Sequence, residues 1–217
     1  MFPYRDDNPA ESFPLVAILL IVVNAAIFLF LSPSAHYEEI IRQFGFIPDR
    51  GEPLTFLTSL FLHANLLHLV FNMWYLWLFG DNLEDRFGKL NFLFFYLLGG
   101  AFSLLLHAWT VGPQMKEIPC IGASGAISAV MGGYVTLFPR ANIQVLFLFF
   151  FTIQTFKISA LFFLGFWFLQ QLLLTAGSTN SEMVAPVAYG AHIGGFVFGV
   201  VFASVIKHLF PQKGNII

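Results

Sequence analysis

Six apolar runs, each long enough to cross a lipid bilayer or nearly so, leave this chain few folds to choose from. They are Leu15–Leu31, Leu66–Gly80 with an apolar lead-in from Leu54, Phe92–Trp109, Ile121–Phe138, Ile158–Thr175 and Pro186–Ile206. About 20 apolar residues span the hydrocarbon as a helix, which satisfies its own backbone hydrogen bonds there. Charge agrees: 10% of the 217 residues are charged and 58% are hydrophobic, where a soluble domain carries about a quarter charged. The expectation is an all-α membrane protein: six transmembrane helices over residues 15–209, a polar tail at 1–14 and a second tail at 210–217.

Basic residues orient the bundle. With both termini inside, Arg5, Arg86, Lys89, Arg140, Lys157, Lys207 and Lys213 face the cytoplasm, and only Arg42, Arg50 and Lys116 lie outside. That asymmetry selects N-in, C-in. The first apolar run does not read as a cleaved signal peptide, because Asp6, Asp7 and Glu11 accompany Arg5 in its leader. The first outer loop, Ser32–Thr55, is long, and within it Tyr37–Phe44 suits a short amphipathic helix lying in the interface. Val145 to Leu174 is too long for one span and carries Gln154 and Lys157. Val145–Phe156 is therefore expected to be an interfacial or re-entrant piece leading into helix five. Cys120 is the one cysteine, so no intrachain disulfide forms.

Three short stretches carry polar groups of a kind that chemistry needs. The first is Gly122-Ala123-Ser124-Gly125, a serine among small residues just after Pro119, where a helix is expected to start. A serine in a first helical turn has free backbone N–H groups beside it, and with the helix dipole these stabilise a developing oxyanion. The competing reading is helix packing, since Gly125, Ala129 and Gly133 recur every four residues. The second stretch holds His68 and Asn72, which share one helix face. Polar groups at membrane depth are costly and mark either function or an interhelical hydrogen bond. His63 and His68 are five apart with no cysteine or carboxylate cluster near them, so no metal site is expected. The third is Ala191-His192-Ile193-Gly194-Gly195, where Ala191, Gly195, Gly199 and Ala203 form a small stripe suited to pack on that of helix four.

With the N-terminus inside, helices two, four and six all run inward. His68 and Asn72, Ser124, and His192 each lie near the start of one of them, in one layer toward the outer face. A nucleophile, a base and two further hydrogen-bonding groups are what acyl transfer requires. All twelve acidic residues lie outside the apolar runs. A serine hydrolase here would therefore work with Ser124 and His192 alone, and Ser124 N–H, His68 and Asn72 would hold the oxyanion.

These stretches, His68-Leu69-Val70-Phe71-Asn72, Gly122-Ala123-Ser124-Gly125 and Ala191-His192-Ile193-Gly194-Gly195 with Gly199, resemble the rhomboid intramembrane serine proteases. Glu84 and Arg86 match the family's loop after helix two, and the resemblance covers about residues 54–204. It implies a six-helix bundle with an outward-opening, water-filled cavity and a Ser124–His192 dyad. It also implies cleavage of single-pass transmembrane proteins near the outer face, after a small residue. No cofactor and no nucleic acid is implied; the partners are substrate and lipid bilayer. Six helices without a seventh resemble the compact bacterial form, hence a bacterial inner membrane. Gly122, Gly125, Gly195 and Gly199 are expected to support the site by close packing. Two positions depart from the family pattern. Leu54-Thr55 stands where many rhomboids have Trp-Arg, and Ser128 where many have an aromatic ring stacked on the base. Ser128 either hydrogen-bonds His192, directly or through water, or is a small packing residue. A non-catalytic escort protein on the same fold, or a small transporter, are the rival functions.

Overall fold

The computed structural model describes residues 2–149, 152–178 and 187–209; the tail 210–217, with Lys213, and the first residue of the sixth run, Pro186, lie outside them. Leu15–Leu31 forms α1. The following loop holds Tyr37–Phe44 (α2) and Thr55–Thr58 (α3), which runs into a 3-10 turn, Ser59–Phe61. Leu66–Phe87 (α4), Lys89–Thr110 (α5), Ser124–Leu137 (α6), Ala160–Ser178 (α7) and Tyr189–Leu209 (α8) complete the helices. By length and apolarity α5 and α8 suffice to cross a membrane. Thr55–Phe61 and α4, bent by 98° at the break between them, meet the same criterion only when taken together. Leu15–Leu31, Ser124–Leu137 and Ala160–Ala176 are apolar but shorter. Phe30 (84% exposed) and Phe162 (75%) leave the bundle with an apolar exterior of the kind lipid covers.

Helix α6 is the centre. Every residue from Gly125 to Val135 is buried, as a helix that is apolar all round requires. Its side chains join Leu76, Phe79 and Leu83 of α4, Phe92, Phe95 and Tyr96 of α5 and Phe196 of α8 in one core. The small stripes meet as expected. A Cβ on Gly195 would collide with the Gly125 carbonyl, one on Gly199 with the Ala129 carbonyl, and one on Gly132 with the Phe196 carbonyl. The α6 and α8 backbones thus touch, and dispersion between them replaces the hydrophobic effect that lipid removes. Gly133 is held from two sides: a Cβ on Gly199 would lie 2.8 Å from the Gly133 backbone nitrogen, and a Cβ on Gly133 itself would meet Leu83 and Phe95.

Glu84 ties the C-terminal end of α4 to the start of α1. Pro14 offers α1 no side-chain cap. The Glu84 carboxylate instead accepts from Val16 N–H (2.9 Å) and Ala17 N–H (2.8 Å) while 1% exposed, which satisfies free donors and the helix dipole together. Asp85 likewise accepts from Glu11 and Ser12 N–H in the segment leading into α1.

The fold is mostly helical but not all-α. Phe2–Asp6 (β1), Asn142–Phe149 (β2) and Thr152–Ser159 (β3) form an antiparallel sheet in the order β1-β2-β3. The segment expected to be interfacial or re-entrant is therefore a hairpin, paired from Asn142↔Ser159 to Phe149↔Thr152. Ile143 and Val145 point into the core while Gln144 pairs with Lys157 on the opposite face. This period-two pattern is what a strand needs. The polar tail is part of the sheet: Trp74 Nε1 donates to Pro3 O (2.7 Å), and Tyr134 Oη donates to Asp6 Oδ2 (2.5 Å).

Candidate active site

Ser124 is the first residue of α6, and the chain before it is pinned. Phe46 and Cys120 exchange two backbone hydrogen bonds, and Gly122 N–H donates to Ser59 O (2.9 Å). Gly122 has φ +113°, and a Cβ there would lie 2.6 Å from His68 Cε1. Only glycine meets both conditions. Its backbone therefore sits directly against His68, with Asn72 Nδ2 3.5 Å from the same point. Gly125 is equally constrained, because a side chain there would strike Ser103 Oγ on α5.

His68 and Asn72 reach this point from the first turns of α4. Asn65 caps that helix, its Oδ1 accepting from His68 N–H (2.9 Å), a standard arrangement that fixes the entry angle. His68 Nδ1 faces Ala64 N–H at 3.4 Å. Asn72 is 7% exposed, and its Nδ2 has no hydrogen-bond partner among the described residues. A buried donor left unpaired costs about 1–3 kcal/mol. His63, fully buried, sets its ring edge-on to His68 with centroids 5.1 Å apart.

His192 lies in the first turn of α8. Its Nε2 is 2.9 Å from Ser124 Oγ. Of the residues expected to build the site, Ser124 and His192 are hydrogen-bonded to each other, and Gly122, His68 and Asn72 form the adjoining wall. Ser128 belongs to neither group. It is fully buried at the α6–α8 contact, and its Oγ donates to Ser124 O (2.7 Å), not to His192. The partner of His192 Nδ1 is Gln171 Oε1 on α7, at 2.8 Å. From the same helix the Trp167 ring approaches the imidazole, centroids 5.9 Å apart and planes tilted by 36°. Sequence reasoning missed both residues. Among the described residues no three His, Cys, Asp or Glu side chains gather as a metal-ion group would.

Comparison with known proteins gives the family of the chain. The rhomboid domain model matches residues 50–208, and the chain belongs to the rhomboid family, whose members are generally intramembrane serine proteases acting on transmembrane substrates. Relatives include RHOMBOID-like protein 12, mitochondrial, of Arabidopsis thaliana, 30% identical over 90% of this chain and 60% of that protein. Rhomboid protein 1, mitochondrial, of Saccharomyces cerevisiae is 31% identical over 74% of this chain and 44% of its own length. Presenilin-associated rhomboid-like protein A, mitochondrial, of Danio rerio is 25% identical over 89% and 48%. The chain spans about half the length of the curated relatives it matches. These names correct one expectation: the relatives are mitochondrial, which overturns the bacterial inner membrane. An apolar run reports the thickness of a bilayer and not its compartment, so the helix count held no information on this point.

Proposed function

We propose that this chain is an intramembrane serine endopeptidase in which Ser124 is the nucleophile and His192 the base. The observation that carries the reading is the 2.9 Å hydrogen bond between Ser124 Oγ and His192 Nε2, within the reach that proton transfer requires. In the acylation step Nε2 takes the Ser124 hydroxyl proton as Oγ attacks the substrate carbonyl. The oxyanion forms against Ser124 N–H, the free Asn72 amide and His68, at the positive end of the α6 dipole. His192 then protonates the leaving amine, the C–N bond breaks, and an acyl-Ser124 ester remains. Water, deprotonated by His192, releases the acid and restores the serine.

Depth argues for substrates that span the membrane. Helix α6 has 14 residues and rises about 21 Å, against a hydrocarbon layer of about 30 Å. With its C-terminal end at the inner face, Ser124 sits below the outer face, within reach of a helical substrate that unwinds there. This reading includes six crossings with both termini inside, single-pass substrates cut near the outer face, and, from the names of the relatives, a mitochondrial membrane. The test uses the full chain in liposomes with a set of single-pass transmembrane proteins. Cleavage that Ser124→Ala abolishes supports the proposal. Cleavage that survives Ser124→Ala, or a wild type that binds these proteins without cutting any, refutes it.

A further inference from the structure

Trp167 and Gln171 are four residues apart and share one face of α7. Both meet the imidazole of His192 there, Gln171 Oε1 at Nδ1 and the Trp167 ring against the imidazole ring. Gln171 is 5% exposed and, with Gln170 beside it, is one of two amides in a largely apolar helix. A buried amide needs a partner, and this one spends its carbonyl on a group that itself touches Ser124.

We infer that Gln171 is the positioning residue of the base. A neutral imidazole carries one ring proton, and the partner of one nitrogen decides where it sits. A carbonyl oxygen at Nδ1 accepts and cannot donate, so the proton stays on Nδ1. Nε2 then presents its lone pair to the Ser124 hydroxyl, the arrangement general-base attack needs. Trp167 restricts ring rotation about that axis. An amide does this without the desolvation that a buried carboxylate incurs. Support for the base thus comes from a ring and an amide one turn apart on α7, with the Tyr189 ring of α8 edge-on at 6.4 Å, and not from position 128 of α6. No Asp or Glu among the described residues contacts His192 with a hydrogen bond.

The inference rests on the reading of Ser124 and His192 as nucleophile and base, and the test separates the two. The full chain is purified as wild type, Ser124→Ala, Gln171→Met and Gln171→Glu. Methionine keeps the length of glutamine and removes the amide; glutamate keeps an acceptor oxygen at the same reach. Fluorophosphonate labelling rate, kcat, KM and thermal midpoint are measured for each. Gln171→Met should label about ten- to a hundredfold more slowly, as loss of one orienting hydrogen bond in a dry site implies. Its kcat should fall by the same factor with KM within about twofold, and Gln171→Glu should recover most of the rate. Labelling of Gln171→Met at the wild-type rate overturns the inference. So does a parallel loss in Gln171→Met and Gln171→Glu accompanied by a lower midpoint, which is the signature of interhelical packing alone. A wild type that labels no faster than Ser124→Ala instead refutes the dyad itself.

Discussion

Asn72 is the residue at which burial and chemistry point the same way. Its Nδ2 is a buried donor without a partner among the described residues, set beside Gly122 two residues before Ser124. A donor that waits for the oxyanion acts in the transition state more than in the ground state. Asn72→Ala should therefore lower kcat by up to about a hundredfold and leave KM nearly unchanged. A rise in KM alone would move Asn72 to substrate binding. Ser124, His192, His68 and Asn72 are legible in the sequence because each is a polar group at the start of an apolar run, and the alternation of helix direction puts those starts in one layer. Gln171 is not legible. A glutamine in an apolar helix near its end reads as any interhelical hydrogen bond, beside Gln170 of the same type. Only the turn of α7 about its axis, which no local pattern encodes, decides that Gln171 faces His192. The signal available was the absence of an acid for the base, which obliges some neutral acceptor to exist.

At the scale of elements, the α6–α8 contact holds the site, because it sets the distance between Ser124 and His192. Gly199 has no room for a methyl group, whereas Gly165 on α7 has nothing within 4 Å. Gly199→Ala should then force the helices apart and cost more than about 3 kcal/mol or prevent folding. Gly165→Ala should be neutral or slightly stabilising, since alanine is the better helix former by up to about 1 kcal/mol. Thermal unfolding in detergent checks the pair, and equal effects would show that the contact does not limit stability. The stripes of small residues announce this contact in the sequence. The hairpin they do not announce: Val145, Leu146, Phe147, Leu148 and Phe149 form an unbroken apolar run, and such runs hide whether the period is 2 or 3.6. Its second strand does not alternate cleanly either, with Ile153, Thr155 and Lys157 on one face and Gln154 and Phe156 on the other, and only the β-branched residues there favour a strand.

The whole molecule is closed at one end by the N-terminal segment, which pairs with β2 and whose Asp6 faces Tyr134. Burial, partly offset by the Tyr134 hydrogen bond, raises the Asp6 carboxyl to about 6 from an ordinary value near 4. Neighbouring Asp7 raises it further and Arg5 opposes the shift. Between about pH 4 and 6 the folded state holds this proton and the unfolded state does not, so stability falls as pH rises through that window. Asp6→Asn keeps an acceptor for Tyr134 and removes the charge. The variant should match wild type near pH 4 and melt at a higher temperature at pH 7. A midpoint lowered equally at both values would contradict the assignment. Orientation is a second property of the whole chain. Reporters fused after residues 88 and 140 should read inside and one after residue 113 outside, and the inverse pattern would carry Ser124 to the inner side.

The most direct test of the account is where an activated-serine reagent attaches. A fluorophosphonate reacts with a serine whose proton a neighbouring base can take, and ordinary hydroxyls remain unlabelled. The full chain should incorporate one phosphonate, mapped by mass spectrometry to Ser124, and both Ser124→Ala and His192→Ala should lose it while keeping the wild-type melting temperature. Label on any other residue, or undiminished label at Ser124 in His192→Ala, would contradict a nucleophile activated by the 2.9 Å hydrogen bond from α8.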